Sequence, residues 1–294
     1  MKHAVLGVGA IGGLMGVALE FIGEQVTLVV RAEKLPDYPR QLSLEQQART
    51  ISAVARPVSK LTEAVDVLWI ATKTYQLEPA LASVETIPRT VVPLLNGVDH
   101  VAMLRSHFGD NRVVPATIAV GADRPEEGRF VQGSPVRLNV AGSGEKLLGT
   151  VLGSLQEQLG FLCRFEQNEQ TLLWTKLCFL APFALVTTAS EKDKGGVLAD
   201  SGWKNTLYSA ISEATSVARA EGAEIGTSAI QAILDSSPPT MRSSMLKDFV
   251  AGRPLELDGI AGPIVRGGEK HSIPVPMTKK LMETISRKVD ARRG

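Results

Sequence analysis

The chain has 294 residues, 44% of them hydrophobic, with 32 Lys plus Arg against 31 Asp plus Glu and only two cysteines. That length allows one large or two ordinary domains, and a formal net charge of +1 argues against a general nucleic-acid or membrane surface. Cys163 and Cys178 sit among apolar residues and make no ligand spacing with His3, His100, His107 and His271, so core thiols, no metal site and a reducing cytoplasm are expected.

Val5-Leu6 lead directly into Gly7-Val8-Gly9-Ala10-Ile11-Gly12, and Leu14, Met15, Val17, Ala18, Leu19, Phe21 and Ile22 continue at helical spacing. A strand, a GxGxxG turn and a helix in that order make a dinucleotide-binding unit. Gly7 permits the tight turn, Gly9 admits the pyrophosphate and Gly12 lets helix and strand approach. The helix's first N–H groups then face the phosphates. Against this stand a ligand-free glycine loop and a signal peptide; the second lacks a convincing cleavage site.

Residues 25–30 form a second, β-branched strand that ends in Arg31. NAD sites usually place Asp or Glu here for the ribose 2′-OH. The nearest carboxylate is Glu33, whereas Arg31 suits a 2′-phosphate through charge-assisted bonds. NADPH is therefore the expected cofactor.

A polar stretch with Pro36 and Pro39 follows, then weak strand signals over 50–58. Residues 65–71 read as a buried strand ending near Lys73, and 76–84 as a helix. Residues 90–95 read as a strand ending at Asn96-Gly97, and 98–108 as a helix. Residues 113–114 and 117–121 make another strand, ending at Gly121-Ala122. Residues 130–131 and 136–141, separated by Gly133-Ser134-Pro135, resemble a hairpin. The alternation predicts a mostly parallel sheet with Lys73, Asn96 and Ala122 at its ligand-bearing carboxyl ends.

From 166 onward the pattern is helical. A long apolar run over 169–190 contains Pro182, which removes a backbone hydrogen bond around Cys178 and favours a kink. Residues 203–221 are amphipathic, and 227–234, 243–250, 255–268 and 277–289 follow as shorter helices. No charge-free run of about 18 apolar residues beyond the N-terminal unit suggests a membrane span. Arg287-Lys288 and Arg292-Arg293 read as a frayed, solvated helix end. The expected architecture is an α/β Rossmann-type domain over 1–165 and an all-α domain over 166–294, with substrate in a cleft between them.

Three further pieces stand out: Trp174-Thr175-Lys176-Leu177, the run from Arg242 through Ser244 to Asp248, and Glu256-Leu257-Asp258-Gly259. With GxGxxG, Lys73 and Leu95-Asn96-Gly97-Val98, in this order and spacing, the chain resembles the ketopantoate reductase (2-dehydropantoate 2-reductase) family over nearly its full length. The resemblance implies reduction of a small 2-oxo acid by NADPH, as in pantothenate biosynthesis. It places Gly7, Gly9, Gly12, Arg31 and Lys73 on the cofactor, with Asn96 and Ala122 beside it and Asn96 also near substrate. It makes Lys176 the catalytic lysine, Ser244 a substrate-carboxylate contact, and Glu256 the acid near the nicotinamide ribose and the lysine. The chemistry suits these types: hydride addition puts negative charge on the carbonyl oxygen, and an ammonium can bond that oxygen and supply the proton. Read without the resemblance, Glu256 is a solvated helix residue, Asn96-Gly97 a turn and Ser244 a cap.

One part of the resemblance fails. Family members carry asparagines four and eight residues after the lysine, and another just before a glycine; here these positions hold Leu180, Ala184 and Lys194. At helical spacing the first two project near Lys176, so an apolar wall is expected where a substrate hydroxyl would bind. Two function classes follow: a reductase of ketopantoate or of a more apolar 2-oxo acid, and a non-catalytic NADP-binding sensor or partner-binding paralogue. A homodimer is allowed; the sequence does not decide the assembly.

Overall fold

The computed structural model describes residues 1–293, which divide into two units, Met1–Leu95 with His100–Gln167, and Asn96–Asp99 with the chain from Asn168.

The first unit opens with β1 (Lys2–Leu6), α1 (Ala10–Phe21) and β2 (Gln25–Val29), followed by β3 (Gln41–Gln46), β4 (Arg49–Val54), β5 (Pro57–Val58) and β6 (Val67–Ile70). Then come α2 (Leu77–Leu81), β7 (Thr90–Pro93), α3 (His100–Phe108), β8 (Ala116–Ala119), β9 (Ala122–Glu126), β10 (Arg129–Gln132), β11 (Arg137–Ala141), α4 (Glu145–Leu159) and β12 (Leu162–Glu166). A five-stranded sheet of order β5-β2-β1-β6-β7 is parallel throughout. Its central strands are apolar on both faces because both are covered: Ala4, Val5, Val67, Leu68, Trp69 and Ile70 are fully buried.

Two smaller sheets complete the unit, β4-β3-β10-β9 and β12-β11-β8. They correct two expectations. Residues 130–131 and 136–141 are not a hairpin, since β10 pairs with β3 and β9 while β11 pairs with β8 and β12. The reason lies in the intervening Gly133-Ser134. Gly133 N–H donates to the Gly121 carbonyl at 2.6 Å, and Gly121 N–H donates to Ser134 Oγ at 2.7 Å. The chain crosses between sheets at both places, and the two crossings brace each other. Gly121-Ala122 therefore follows a strand of the three-stranded sheet, not of the parallel one. The polar residues 41–46 are the strand β3, with only Leu42 and Leu44 buried. α1 closes against this sheet through Gly13, where a Cβ would run into the ring of the buried Phe130.

The second unit is helical: α5 (Glu169–Ser190), α6 (Lys194–Ala199), α7 (Ser201–Ala220), α8 (Thr227–Ser236), α9 (Ser244–Val250), α10 (Leu257–Lys270) and α11 (Pro276–Arg293). Asn168 caps α5, its side chain accepting from Thr171 N–H at 2.9 Å, and the helix continues through Pro182. α5 is long and apolar enough to cross a membrane, but most of it is buried at the centre of the helical unit. A helix apolar all round is what such a core requires. The end of α11 is docked rather than frayed. Lys288 and Arg292 both pair with Glu191, at 2.7 and 2.9 Å, and the Arg292 guanidinium lies 3.7 Å from the centre of the Phe249 ring. The Arg293 side chain lies outside the described residues.

Candidate functional site

The glycine turn has the local geometry that a dinucleotide needs. Gly7 has φ +91°, a left-handed conformation that suits glycine. A Cβ on Gly12 would strike the Gly7 carbonyl oxygen and come within 3.1 Å of Val5 Cγ1, so only glycine lets α1 start this close to β1. Gly9, the N-cap of α1, uses no side chain to cap the helix, and a Cβ there would meet nothing within 4 Å. The first-turn N–H groups have no intrahelical acceptor, and open space lies in front of Gly9. These residues fit the pyrophosphate of a nicotinamide dinucleotide.

Around this turn, Lys73 is the half-buried N-cap of a 3-10 helix, Thr74–Gln76, just beyond β6. Arg31 follows β2 and is largely exposed, 3.5 Å from Glu33. Ala122 opens β9. One further cation is close to the turn. Arg124, on β9, donates from Nη1 to the carbonyl of Val8 at 3.0 Å and pairs with Glu127 at 3.0 Å. No local pattern marks it: 116 residues separate it from Val8, and its strand is short and exposed.

In the helical unit the structure brings Asn96, Glu256 and Lys176 together. Glu256 stands at the N-cap of α10 but does not cap it with its side chain. Its Oε2 instead accepts from Asn96 Nδ2 at 3.3 Å. It is only 6% exposed, so it is not the solvated helix residue that sequence alone favours. Lys176 lies two turns into α5, with Leu172, Leu173, Trp174 and Leu177 buried around it. The residue keeps some surface, but its ammonium is desolvated. That desolvation draws its pKa down to about 8, opposed by the attraction of Glu256. A lysine near neutrality beside a carboxylate can hydrogen-bond an oxyanion and also give up a proton.

The other positions separate. Ser244 is exposed in the first turn of α9. The cap of that helix is its neighbour Ser243, which accepts from Leu246 N–H at 3.1 Å and meets Thr187 Oγ1 at 2.8 Å. Leu180 is half-buried against the helical core. Ala184 is completely buried within that core, so it does not join Leu180 as a wall: a step of eight residues turns the side chain some 80° around the helix. Lys194 is also buried, and its ammonium binds the carbonyls of Asp235, at 3.2 Å, and Ser237. There it closes the last turn of α8, where a cation meets unsatisfied carbonyls. Among the described residues no cluster of His, Cys, Asp and Glu could hold a metal ion.

Residues 3–144 match the family described as ketopantoate reductase PanE/ApbA, and residues 168–289 match ketopantoate reductase PanE/ApbA C terminal. A 2-dehydropantoate 2-reductase of Caulobacter vibrioides is 29% identical, over 96% of this chain and 97% of its own. Another, from Mycobacterium tuberculosis, is 30% identical over 76% of each chain. Among solved structures, a ternary complex of D-mandelate dehydrogenase with NADH and anilino(oxo)acetate has the same fold, with TM-score 0.88 and 22% identity over the whole of both chains.

Proposed function

This chain belongs to the ketopantoate reductase family of oxidoreductases, and on that premise we propose that it reduces a 2-oxo acid with NADPH, Lys176 giving the proton. The observation that carries the reading is the Lys176–Glu256–Asn96 cluster.

In this reading the bound nicotinamide supplies the hydride. The Gly7–Gly12 turn receives the pyrophosphate, Lys73 and Ala122 lie beside the cofactor, and Arg31 takes the 2′-phosphate. Lys176 bonds the carbonyl oxygen, stabilises the charge that grows there and releases a proton to it. A pKa near 8 keeps most of the lysine protonated at neutral pH yet makes it a far better acid than a solvated one. Glu256 holds that charge in place, Asn96 steadies Glu256, and the exposed Ser244 hydroxyl is available to a substrate carboxylate.

Leu180 supports a substrate with a hydrocarbon side chain, since an unpaired hydroxyl against a leucine is costly. The same fold serves a D-mandelate dehydrogenase, so it is compatible with other 2-oxo acids. Following NADPH oxidation across ketopantoate, 2-oxoisovalerate and larger 2-oxo acids tests the proposal. Turnover of at least one, lowered by roughly 10²–10⁴ in Lys176→Ala, is expected; tight NADPH binding without turnover of any would replace it with the non-catalytic sensor, the reading favoured by the absence of asparagine at 180, 184 and 194.

A further inference from the structure

The segment Asn96–Asp99 is fastened to the helical unit at every residue. Asn96 donates to Glu256, at the start of α10. Gly97, at φ +82°, lies so close to the Gly259 carbonyl that any Cβ would overlap it. Val98 packs against the helical core. Asp99 Oδ2 accepts from Arg266 Nε at 3.2 Å and from Nη2 at 2.5 Å. Arg266 Nη1 in turn donates to Asp258 Oδ1 at 2.8 Å, two turns back along α10. Gly262 makes room for this reach, because a Cβ there would collide with the guanidinium and with Asp258. One planar cation thus spans two carboxylates, using the fork geometry that only arginine has.

The energetics say what this clasp is for. Arg266 and Asp99 are each about half exposed, and exposed ion pairs contribute little to stability. Geometry is a different matter. Asn96 reaches Glu256 through a 3.3 Å side-chain bond, and the Asp99–Arg266 contact ties down the far end of the same four-residue segment. A misplacement of about 1 Å in a reacting constellation can cost on the order of a hundredfold in rate.

We propose that Arg266 is a positioning residue for the reaction: by clasping Asp99 to α10 it keeps Asn96 on Glu256, and so orders the carboxylate that faces Lys176. The inference rests on the reading of Lys176 as the proton donor, and its test separates the two. On the full chain with NADPH and the best 2-oxo acid, Arg266→Met lowers kcat by about tenfold to a hundredfold, with little change in Tm, and Arg266→Lys restores part of the loss. In an Asn96→Ala background the Arg266→Met effect disappears, since nothing is left to position. Full additivity of the two substitutions, or unchanged kcat in Arg266→Met, overturns the proposal. If Arg266→Met folds poorly, Asp99→Ala removes the acceptor of the same contact and must give the same losses. A second arm needs no turnover. The Lys176 pKa, followed by NMR of the 13C-methylated lysines in the ligand-free protein, shifts in Arg266→Met in the same direction as in Asn96→Ala. A Lys176 resonance that titrates as in the unmodified protein refutes the clasp. Absence of turnover in the unmodified protein refutes the reductase reading and leaves this arm to decide on Arg266.

Discussion

Arg31 and Glu33 face each other across 3.5 Å at the end of β2, with 68% and 65% of their side chains exposed. So weak a pair is readily exchanged for a dianionic 2′-phosphate. NADPH is therefore expected to bind at least about tenfold more tightly than NADH, and Arg31→Ala to remove most of that preference. Glu33→Gln, which frees Arg31, sharpens it. Titration of both cofactors by intrinsic fluorescence checks this; equal affinities in the unmodified protein would contradict it.

Arg124 acts on a different part of the same unit. Its bond to the Val8 carbonyl lies in the turn between Gly7 and Gly9 and brings a cation next to the start of α1. Arg124→Met is expected to weaken NADH and NADPH binding alike, by about tenfold, the equivalent of one charge-assisted hydrogen bond. A loss confined to NADPH would assign Arg124 to the 2′-phosphate instead.

Lys176 titrates near 8 because desolvation outweighs the pull of Glu256. A proton donor must be protonated, so kcat/KM for reduction is expected to be level below about pH 7 and to fall tenfold per unit above about pH 8. Lys176→Ala lowers kcat by roughly 10²–10⁴. The same burial has a stability consequence. The folded pKa lies below the unfolded 10.5, so the unfolded chain binds the proton more tightly, and stability rises with pH between about 8 and 10.5. Lys176→Met should lower kcat to a similar extent while raising Tm at pH 7. A rate that rises through pH 8 would remove Lys176 as the acid.

Leu180 and Ala184 differ in consequence although they are four residues apart. Leu180 is half-buried and Ala184 fully so. Leu180→Asn is expected to raise kcat/KM for ketopantoate relative to 2-oxoisovalerate by about tenfold to a hundredfold, the worth of one satisfied hydroxyl. Ala184→Asn brings a larger polar group into a packed core and should destabilise by about 1–3 kcal/mol without a comparable change in preference. A selectivity gain from Ala184→Asn with unchanged Tm would show that this side chain does reach substrate.

His3, in β1, is held neutral. Trp69 Nε1 donates to its Nδ1 at 3.0 Å, and burial lowers its pKa below 6.5 against the opposing pull of Glu24. Since the folded pKa is depressed, the unfolded chain takes up the proton first, and stability is lost as pH falls below about 6.5. Thermal melts between pH 7 and 5 should therefore fall more steeply for the unmodified protein than for His3→Gln; parallel slopes would exclude His3 as the cause.

The parts of this protein legible in the sequence are those written in short windows. The strand–GxGxxG–helix start, the long apolar α5 and the run of shorter helices follow from turn chemistry and periodicity, which act over a few residues. The replacement of asparagine at 180, 184 and 194 could likewise be read by resemblance. Tertiary structure alone decided what those positions do: Lys194 closes α8, Ala184 fills the core and only Leu180 stays near the helix surface. It also split the apparent hairpin between two sheets, brought Arg124 to Val8 across 116 residues and Asn96 to Glu256 across 160. No window of sequence encodes such pairings. They form because burying the apolar faces of distant elements fixes where their ends lie, and the polar side chains at those ends then find one another.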